Sequence, residues 1–163
     1  MDEWSGTADG TVTEDGGRRR VHFERRYAAP IERVWDALTS PERLARWLTA
    51  SKVQPGVGGR VEHDFGDEGV CGGEILQWQP PHLLEYQWHF PGEAESVVRF
   101  TLEADGPDAT RLVLDHRRLD PAQGAGYGAG WHAHLDVLAA EVEGTPAPSW
   151  DERFAMVLPR YRP

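Results

Sequence analysis

Two histidines of this chain occupy positions where a side chain could move a proton. His63 and His116 each fall on the inward-facing side of a predicted β-strand, judged by the alternation of residues around them. A buried neutral imidazole can take up or release a proton near pH 7, because burial lowers its pKa and a nearby carboxylate raises it. His63 and His116 are therefore the candidate catalytic residues. The alternative is that both are structural histidines with satisfied ring nitrogens, or that they point to solvent.

The other inward-facing positions are rich in aromatic residues, which favours the binding of a flat apolar molecule. Tyr and Trp bury a broad apolar surface and each keep one hydrogen-bonding group. The residues expected to line a ligand cavity are Val61, His63, Phe65, Ile75, Tyr86, Trp88, Val98, Phe100, Leu114, His116, Trp131, Leu135 and Leu138. The alternative is that these side chains simply fill the hydrophobic core.

Other chemical sites are not indicated by residue type and spacing. His132 and His134 form the one close histidine pair, but two positions along a helix turn them about 200° apart, so they cannot share an ion. Cys71 is the single cysteine, which excludes an intramolecular disulfide, and nothing marks its thiol as a nucleophile. No metal and no cofactor is predicted. The alternating glycines of residues 124–130 lack the spacing of a phosphate loop, and we expect a flexible lid or hinge there.

Two short amphipathic helices are predicted between residues 28 and 48. Pro30 suits the first turn of the first helix, because the amide that proline lacks would have no partner there. Ser40 followed by Pro41 is typical of a second helix start. Apolar residues recur at helical spacing on one face of each helix. Both faces must be covered, and a curved sheet is the expected partner.

Six β-strands are predicted around this helix pair. The first strand carries Val21, Phe23 and Arg25 at alternate positions and leads into the pair. The separators between the other five strands are short and turn-like, which favours an antiparallel meander over parallel crossovers. These five strands are expected at residues 60–65, 69–78, 83–90, 96–103 and 111–117.

A long last helix is predicted after the strands. Trp131, Leu135, Leu138 and Val142 recur at spacings of four, three and four, and Gly144 is suited to end the helix. The element order predicts an α+β fold in which a curved antiparallel six-stranded sheet is crossed by this helix over a cavity. One domain is expected at residues 18–144. A flexible tail is expected at 1–17, and an extension at 145–163 is expected to pack a short helix on the domain.

Composition limits the classes of partner. The chain has 163 residues, 39% of them hydrophobic, and a formal net charge of −10. This charge argues against nucleic-acid binding. No apolar run is long enough to span a membrane and no signal peptide is evident, so we expect a soluble cytoplasmic protein, as a monomer or dimer. Abundant Gly, Ala, Arg, Asp and Pro with few lysines indicate a GC-rich bacterial gene.

Several short motifs together resemble a known superfamily. They are Ala29-Pro30 with Val34-Trp35, Thr39-Ser40-Pro41-Glu42 with Trp47, Gly58-Gly59, Pro80-Pro81-His82-Leu83-Leu84 with Trp88, and Gly130-Trp131. In this order they resemble the START-like or SRPBCC superfamily, whose helix-grip fold wraps a sheet around a long C-terminal helix. Within it, the chain looks most like the activator-of-Hsp90-ATPase-homologue family.

The resemblance implies a cavity between sheet and helix that accepts apolar or aromatic small molecules, including lipids, plant hormones and polyketides. Some members of the superfamily cyclise polyketides, and some protect antibiotic producers by binding or intercepting the product. We therefore expect a binding protein for a small hydrophobic or aromatic, lipid- or polyketide-like molecule, with a role in bacterial secondary metabolism or antibiotic self-resistance. One alternative is a cyclase, dehydratase or hydrolase that uses His63 or His116. The other is a protein-partner module of the Hsp90-activator type.

Overall fold

The predicted helix pair is present in the computed structural model, which describes residues 9–162. Helix α1 (Ile31–Thr39) begins after Pro30, and helix α2 (Pro41–Trp47) begins with a proline in its first turn. The apolar face of each helix is buried. The indole Nε1 of Trp47 donates a hydrogen bond to the carbonyl of Ala37 over 2.7 Å, which ties the two helices together.

Within residues 9–162, eight strands form one antiparallel sheet. The strands are β1 (Thr11–Asp15), β2 (Arg18–Tyr27), β3 (Ala50–Val53), β4 (Arg60–Asp64), β5 (Val70–Gln79), β6 (Leu83–Trp88), β7 (Ser96–Ala104) and β8 (Thr110–Leu119). Their order across the sheet is β1-β2-β8-β7-β6-β5-β4-β3. Helix α3 (Gly124–Glu143) and helix α4 (Trp150–Tyr161) complete the fold. The predicted α+β helix-grip architecture is confirmed, but the predicted number of six strands is wrong.

The two additional strands, β1 and β3, are short and mostly exposed. Among the strands of the described residues, β1 pairs only with β2 and β3 pairs only with β4, so both lie at the sheet's edges. Edge strands with few buried side chains lack the alternating apolar pattern by which a strand is recognised. β1 also corrects part of the predicted flexible tail, because residues 11–15 are ordered in the sheet. The rest of that prediction falls largely on residues 1–8, which lie outside the described residues.

The glycine-rich segment 124–130 forms the first two turns of α3, not a lid or hinge. Glycine disfavours a helix by about 1 kcal/mol relative to alanine, so close packing must offset this. A Cβ on Gly128 would lie 2.8 Å from Cδ1 of Tyr161, and one on Gly124 would lie 3.0 Å from Cγ1 of Val12. The missing side chains therefore allow α4 and β1 to approach α3 closely.

Helix α4, within residues 145–163, packs on α3. The side chain of Ser149 caps it by accepting a hydrogen bond from the amide of Glu152. At the other end of α4, the hydroxyl of Tyr161 accepts a hydrogen bond from the amide of Gly10 over 2.9 Å. Arg160 forms an ion pair with Asp9 at 2.9 Å. The C-terminal helix is thus joined to the segment that leads into β1.

The hydrophobic core lies between the sheet and α3. Tyr27 of β2 donates a hydrogen bond to the carbonyl of Leu135 over 3.0 Å, and Arg25 pairs with Asp136 of α3 at 2.9 Å. Both contacts are buried and set the position of α3 on the sheet. Across residues 9–162, no helix combines the length and the hydrophobicity needed to cross a bilayer.

Candidate functional site

A pocket of about 490 Å³ opens where α3 begins, between the sheet and α4. The β4–β5 loop, the end of β6 and the β6–β7 connection form one side, and α3 and α4 form the other. Its wall consists of Phe65, Glu68, Trp88, Phe90, Pro91, Glu93, Gln123, Gly126, Tyr127, Gly130, Trp131, His134, Trp150 and Phe154. Seven of these residues are aromatic, so flat apolar faces form most of the surface that a guest molecule would meet.

The floor of the pocket is built from two tryptophans. Trp88 of β6 and Trp131 of α3 are 4% and 2% exposed, and their ring centres lie 5.3 Å apart. On the outer side, Trp150 and Phe154 of α4 stack at 4.9 Å with an interplanar angle of 19°. The pocket is therefore bounded by rings from the sheet, from α3 and from α4. Such ring clusters keep their shape because aromatic side chains have few rotatable bonds.

A short chain of hydrogen bonds runs along one wall. Nε1 of Trp88 donates to the hydroxyl of Tyr127 over 3.0 Å, and that hydroxyl donates to Oε1 of Glu93 over 2.8 Å. Burial and the hydrogen bond to the Glu93 carboxylate raise the pKa of Tyr127. Tyr127 is therefore a neutral donor at physiological pH, and its position is set from both sides.

His63 is buried, and both of its ring nitrogens have hydrogen-bond partners in the protein. Its Nδ1 lies 2.7 Å from Oγ of Ser51, and its Nε2 lies 2.9 Å from the hydroxyl of Tyr86. Ser51 uses its only hydroxyl proton on the carbonyl of Thr49, so Nδ1 of His63 carries the proton and Nε2 accepts from Tyr86. Burial, with a smaller contribution from His134, lowers the pKa of His63 to about 3.

Both ring nitrogens of His116 also have hydrogen-bond partners in the protein. The indole of Trp131 can only donate, and it donates to Nδ1 of His116 over 2.9 Å. Nε2 therefore carries the proton and donates to Oγ of Ser96, which in turn donates to the carbonyl of Trp88. Burial lowers the pKa of His116 to about 3. Neither candidate catalytic histidine lines the pocket or has a ring nitrogen free to act on a guest.

The histidine that does line the pocket is His134, which sequence reasoning considered only for metal binding. Its Nδ1 lies 3.4 Å from the carbonyl of Trp47, and burial lowers its pKa to about 4. The sequence did contain a signal for this location of His134, because positions 127, 131 and 134 share one face of a helix. His132 points to the other side of α3, where Nδ1 meets the hydroxyl of Tyr161 at 2.8 Å.

The predicted binding residues separate into two groups. Phe65, Trp88 and Trp131 lie in the pocket wall. The other ten are buried in the interior beside the pocket, and they are Val61, His63, Ile75, Tyr86, Val98, Phe100, Leu114, His116, Leu135 and Leu138. The pocket therefore lies nearer to α4 and to the start of α3 than the alternation of strand residues implied.

The pocket residues that were not predicted come from loops, from α3 and from α4. Phe90 and Glu93 follow β6, Tyr127 lies in the glycine-rich turns of α3, and Trp150 and Phe154 belong to α4. Within the described part of the chain, no group of three or more His, Cys, Asp or Glu residues is arranged to hold a metal ion. Cys71 is buried, and burial together with Glu93 raises the pKa of its thiol.

Comparison with known proteins assigns the family. Residues 28–143 match the model of the family described as "Activator of Hsp90 ATPase homolog 1-like protein". The chain belongs to this family. The matched residues run from the turn before α1 to the last residue of α3, so the family's domain includes the pocket floor but not α4. No curated protein matches the chain significantly.

Several solved structures resemble the chain over most of its length. The crystal structure of CalU16 from Micromonospora echinospora is 28% identical, with a TM-score of 0.76 over 94% of this chain and 92% of that chain. The protein encoded by gene BPP1335 from Bordetella parapertussis is 31% identical, with a TM-score of 0.71 over 99% and 93%. DynU16, described as a protein in the dynemicin biosynthetic locus, is 29% identical with a TM-score of 0.69. The match with DynU16 covers 80% of this chain and 49% of that chain.

Proposed function

We propose that this chain binds a small, flat hydrophobic or aromatic molecule in the pocket between the sheet, α3 and α4, and that it works by binding and not by catalysis. The observation that carries the proposal is the pocket of about 490 Å³ with seven aromatic residues in its wall. Small-molecule sites in proteins have volumes of roughly 300–1,000 Å³ and mostly apolar linings with a few polar groups. This pocket has both properties.

Apolar burial is sufficient to hold such a guest. A ligand that buries about 300 Å² of apolar surface gains on the order of 7 kcal/mol at roughly 25 cal/mol per Å², before the costs of ordering. The stacked rings of Trp150 and Phe154 supply one flat face, and Trp88 and Trp131 supply the floor. Because these rings already contact one another, the protein loses little side-chain freedom when the guest enters.

The arrangement of the histidines supports binding over catalysis. His63 and His116 use both ring nitrogens on protein partners, and their lowered pKa values favour the neutral state. A general base must reach the proton that it removes, within hydrogen-bonding distance of a bound substrate. His63 and His116 are separated from the pocket by other side chains, so we assign them a structural role.

A role in secondary metabolism is part of the proposal. DynU16, to which the chain is 29% identical, is described as a protein in the dynemicin biosynthetic locus. We expect the natural guest to be a polyketide-like aromatic product, and we expect binding to protect the producing cell from it. Cellular tolerance of such a compound, compared with and without the gene, tests this part separately from binding.

A thermal-shift screen with pocket variants tests the binding proposal. A ligand at about 100 times its Kd stabilises the folded state by about 2.7 kcal/mol, which corresponds to a rise in Tm of roughly 5–10 °C for a domain of this size. Planar polyaromatic compounds are expected to give such rises with the unmodified protein. Trp150→Ala and Phe154→Ala are expected to reduce them at least fivefold in apparent affinity, because each removes a ring from the wall.

Met156→Ala is the matched control for these variants. Met156 lies on the same helix but is 58% exposed and is not part of the pocket wall. It is expected to leave the ligand-induced shift unchanged. A screen without any stabilising compound would refute the proposal, and so would ligand shifts that persist unchanged in both Trp150→Ala and Phe154→Ala.

A further inference from the structure

The polar side chains in the pocket wall are acidic or neutral. They are Glu68, Glu93, Gln123, Tyr127 and His134. Among residues 9–162, no lysine or arginine lines the pocket. The formal net charge of the chain, −10, has the same sign as the two glutamates. The charge around the pocket therefore favours a cation over an anion.

The two glutamates are available to a guest. Glu68 is exposed in the β4–β5 loop, and Glu93 is half-buried beside Tyr127. Oε1 of Glu93 accepts the hydroxyl proton of Tyr127, whereas Oε2 takes no hydrogen bond from any residue in the described part of the chain. Glu68 has no side-chain partner within the same residues. A carboxylate without a cationic neighbour at the edge of an aromatic pocket can pair with a cation that the guest supplies.

His134 adds an acceptor inside the pocket. The carbonyl of Trp47 can only accept, so the proton of the neutral ring lies on Nδ1 and Nε2 keeps its lone pair. Nε2 takes no hydrogen bond from residues 9–162. Burial lowers the pKa of His134 to about 4, so the ring stays neutral at pH 7 and does not repel a cation. Tyr127 offers no free donor, because its proton is used on Glu93.

We infer that the pocket takes an aromatic molecule that carries a protonated amine. This inference rests on the proposed function and adds the chemical class of the guest. Aromatic faces attract a cation through their quadrupoles, and the carboxylates of Glu68 and Glu93 attract it through charge. An aromatic carboxylate of the same size would meet two negative charges and acceptors. A neutral aromatic alcohol would gain the apolar contacts alone.

Three naphthalene probes of nearly equal size separate these contributions. They are 1-naphthylmethylamine, 1-naphthalenemethanol and 1-naphthoate, titrated into the full chain by isothermal calorimetry at pH 7 and low ionic strength. The amine is expected to bind roughly threefold to tenfold more tightly than the alcohol, and the carboxylate more weakly than the alcohol. Raising the salt concentration should reduce the preference for the amine, because salt screens exposed charges.

A pair of double variants assigns the preference to the pocket. In Glu68→Gln with Glu93→Gln, the amine and the alcohol are expected to bind with affinities within about twofold of each other. Glu62→Gln with Glu95→Gln is the matched control, because both residues are exposed, neither lines the pocket, and the net charge changes equally. The control should keep the full preference for the amine.

The outcomes distinguish this inference from the proposed function. Equal affinity for amine and alcohol, or an equal loss of preference in both double variants, overturns the inference. If the probes then still bind and Trp150→Ala weakens all three, the proposed aromatic binding stands. If none of the three probes binds, the inference is overturned and the proposed function fails with it.

Discussion

Gly128 is the position at which the packing of α4 on α3 can be tested with one methyl group. A Cβ added there would lie 2.8 Å from Cδ1 and 3.0 Å from Cγ of Tyr161, and 3.0 Å from Cγ2 of Val12. These atoms lie close to their own backbones, so α4 or β1 must move to admit a methyl group. Gly126 lies two residues earlier in the same helix, and a Cβ there would have no heavy atom within 4 Å. Gly126→Ala is therefore the matched control.

The expected magnitude follows from comparing the two variants. Alanine is favoured over glycine inside a helix by about 1 kcal/mol, and this gain applies at both positions. Gly126→Ala is therefore expected to raise the free energy of unfolding by about 0.5–1 kcal/mol. Gly128→Ala has the same gain, but overpacking of a filled site costs typically 1–3 kcal/mol. The gain in helix propensity is the same in both variants and cancels when they are compared. The free energy of unfolding of Gly128→Ala should therefore be lower than that of Gly126→Ala by about 1–3 kcal/mol.

Urea denaturation followed by tryptophan fluorescence measures this difference. The midpoints of the two variants should differ while the dependence of the free energy on urea stays the same. Gly128→Ala should also weaken the binding of pocket ligands, because α4 carries Trp150 and Phe154. Equal stabilisation by the two alanines would refute the close approach of Tyr161 to α3, and with it the fixed position of the outer pocket wall.

Two further predictions concern buried polar groups. Burial lowers the pKa values of His63 and His116 to about 3 and that of His134 to about 4, so below pH 6.5 the unfolded chain binds protons that the folded chain does not. The contribution of these three histidines therefore makes stability fall as the pH drops from about 6.5 towards 4, by up to about 1.4 kcal/mol per pH unit for each. Urea midpoints across this range check the slope, and a flat profile would contradict the structural role of the histidines. Tyr161→Phe removes the hydroxyl that lies 2.8 Å from Nδ1 of His132, and is expected to cost about 1–3 kcal/mol in the same assay. An unchanged free energy of unfolding would show that this hydrogen bond does not stabilise the packing of α4.

Local signals were sufficient to predict most of the fold. Pro30 and Pro41 mark helix starts through their missing amides, and the alternation in β2 and β8 marks buried strands, so these elements are visible in short windows. β1 and β3 carry no such pattern because their side chains are mostly exposed. The start of α3 could not be predicted from local sequence either. Glycine is disfavoured in helices, and Gly128 is explained by its close packing against Tyr161.

The site was less predictable than the fold because it depends on contacts between distant segments. Trp88 and Trp131 could be placed from strand alternation and helix period, and both belong to the pocket floor. Trp150 and Phe154 enter the wall only because α4 lies on α3, which no local pattern specifies. The hydrogen bonds that occupy His63 and His116 involve Ser51 and Ser96, two residues that alternation does not identify as partners of a histidine.

The contact between residues 9–10 and the end of α4 limits how early in protein synthesis α4 can reach its final position. Gly10 contacts Tyr161 and Asp9 contacts Arg160, each across 151 positions of sequence, which is among the longest separations possible within residues 9–162. All of the intervening polypeptide must be synthesised before this contact can form, and closing the loop adds an entropic cost that grows only slowly with its length. Helix α4 must therefore have left the ribosome before Trp150 and Phe154 can take their places beside α3, so this wall of the pocket is completed later in synthesis than the sheet.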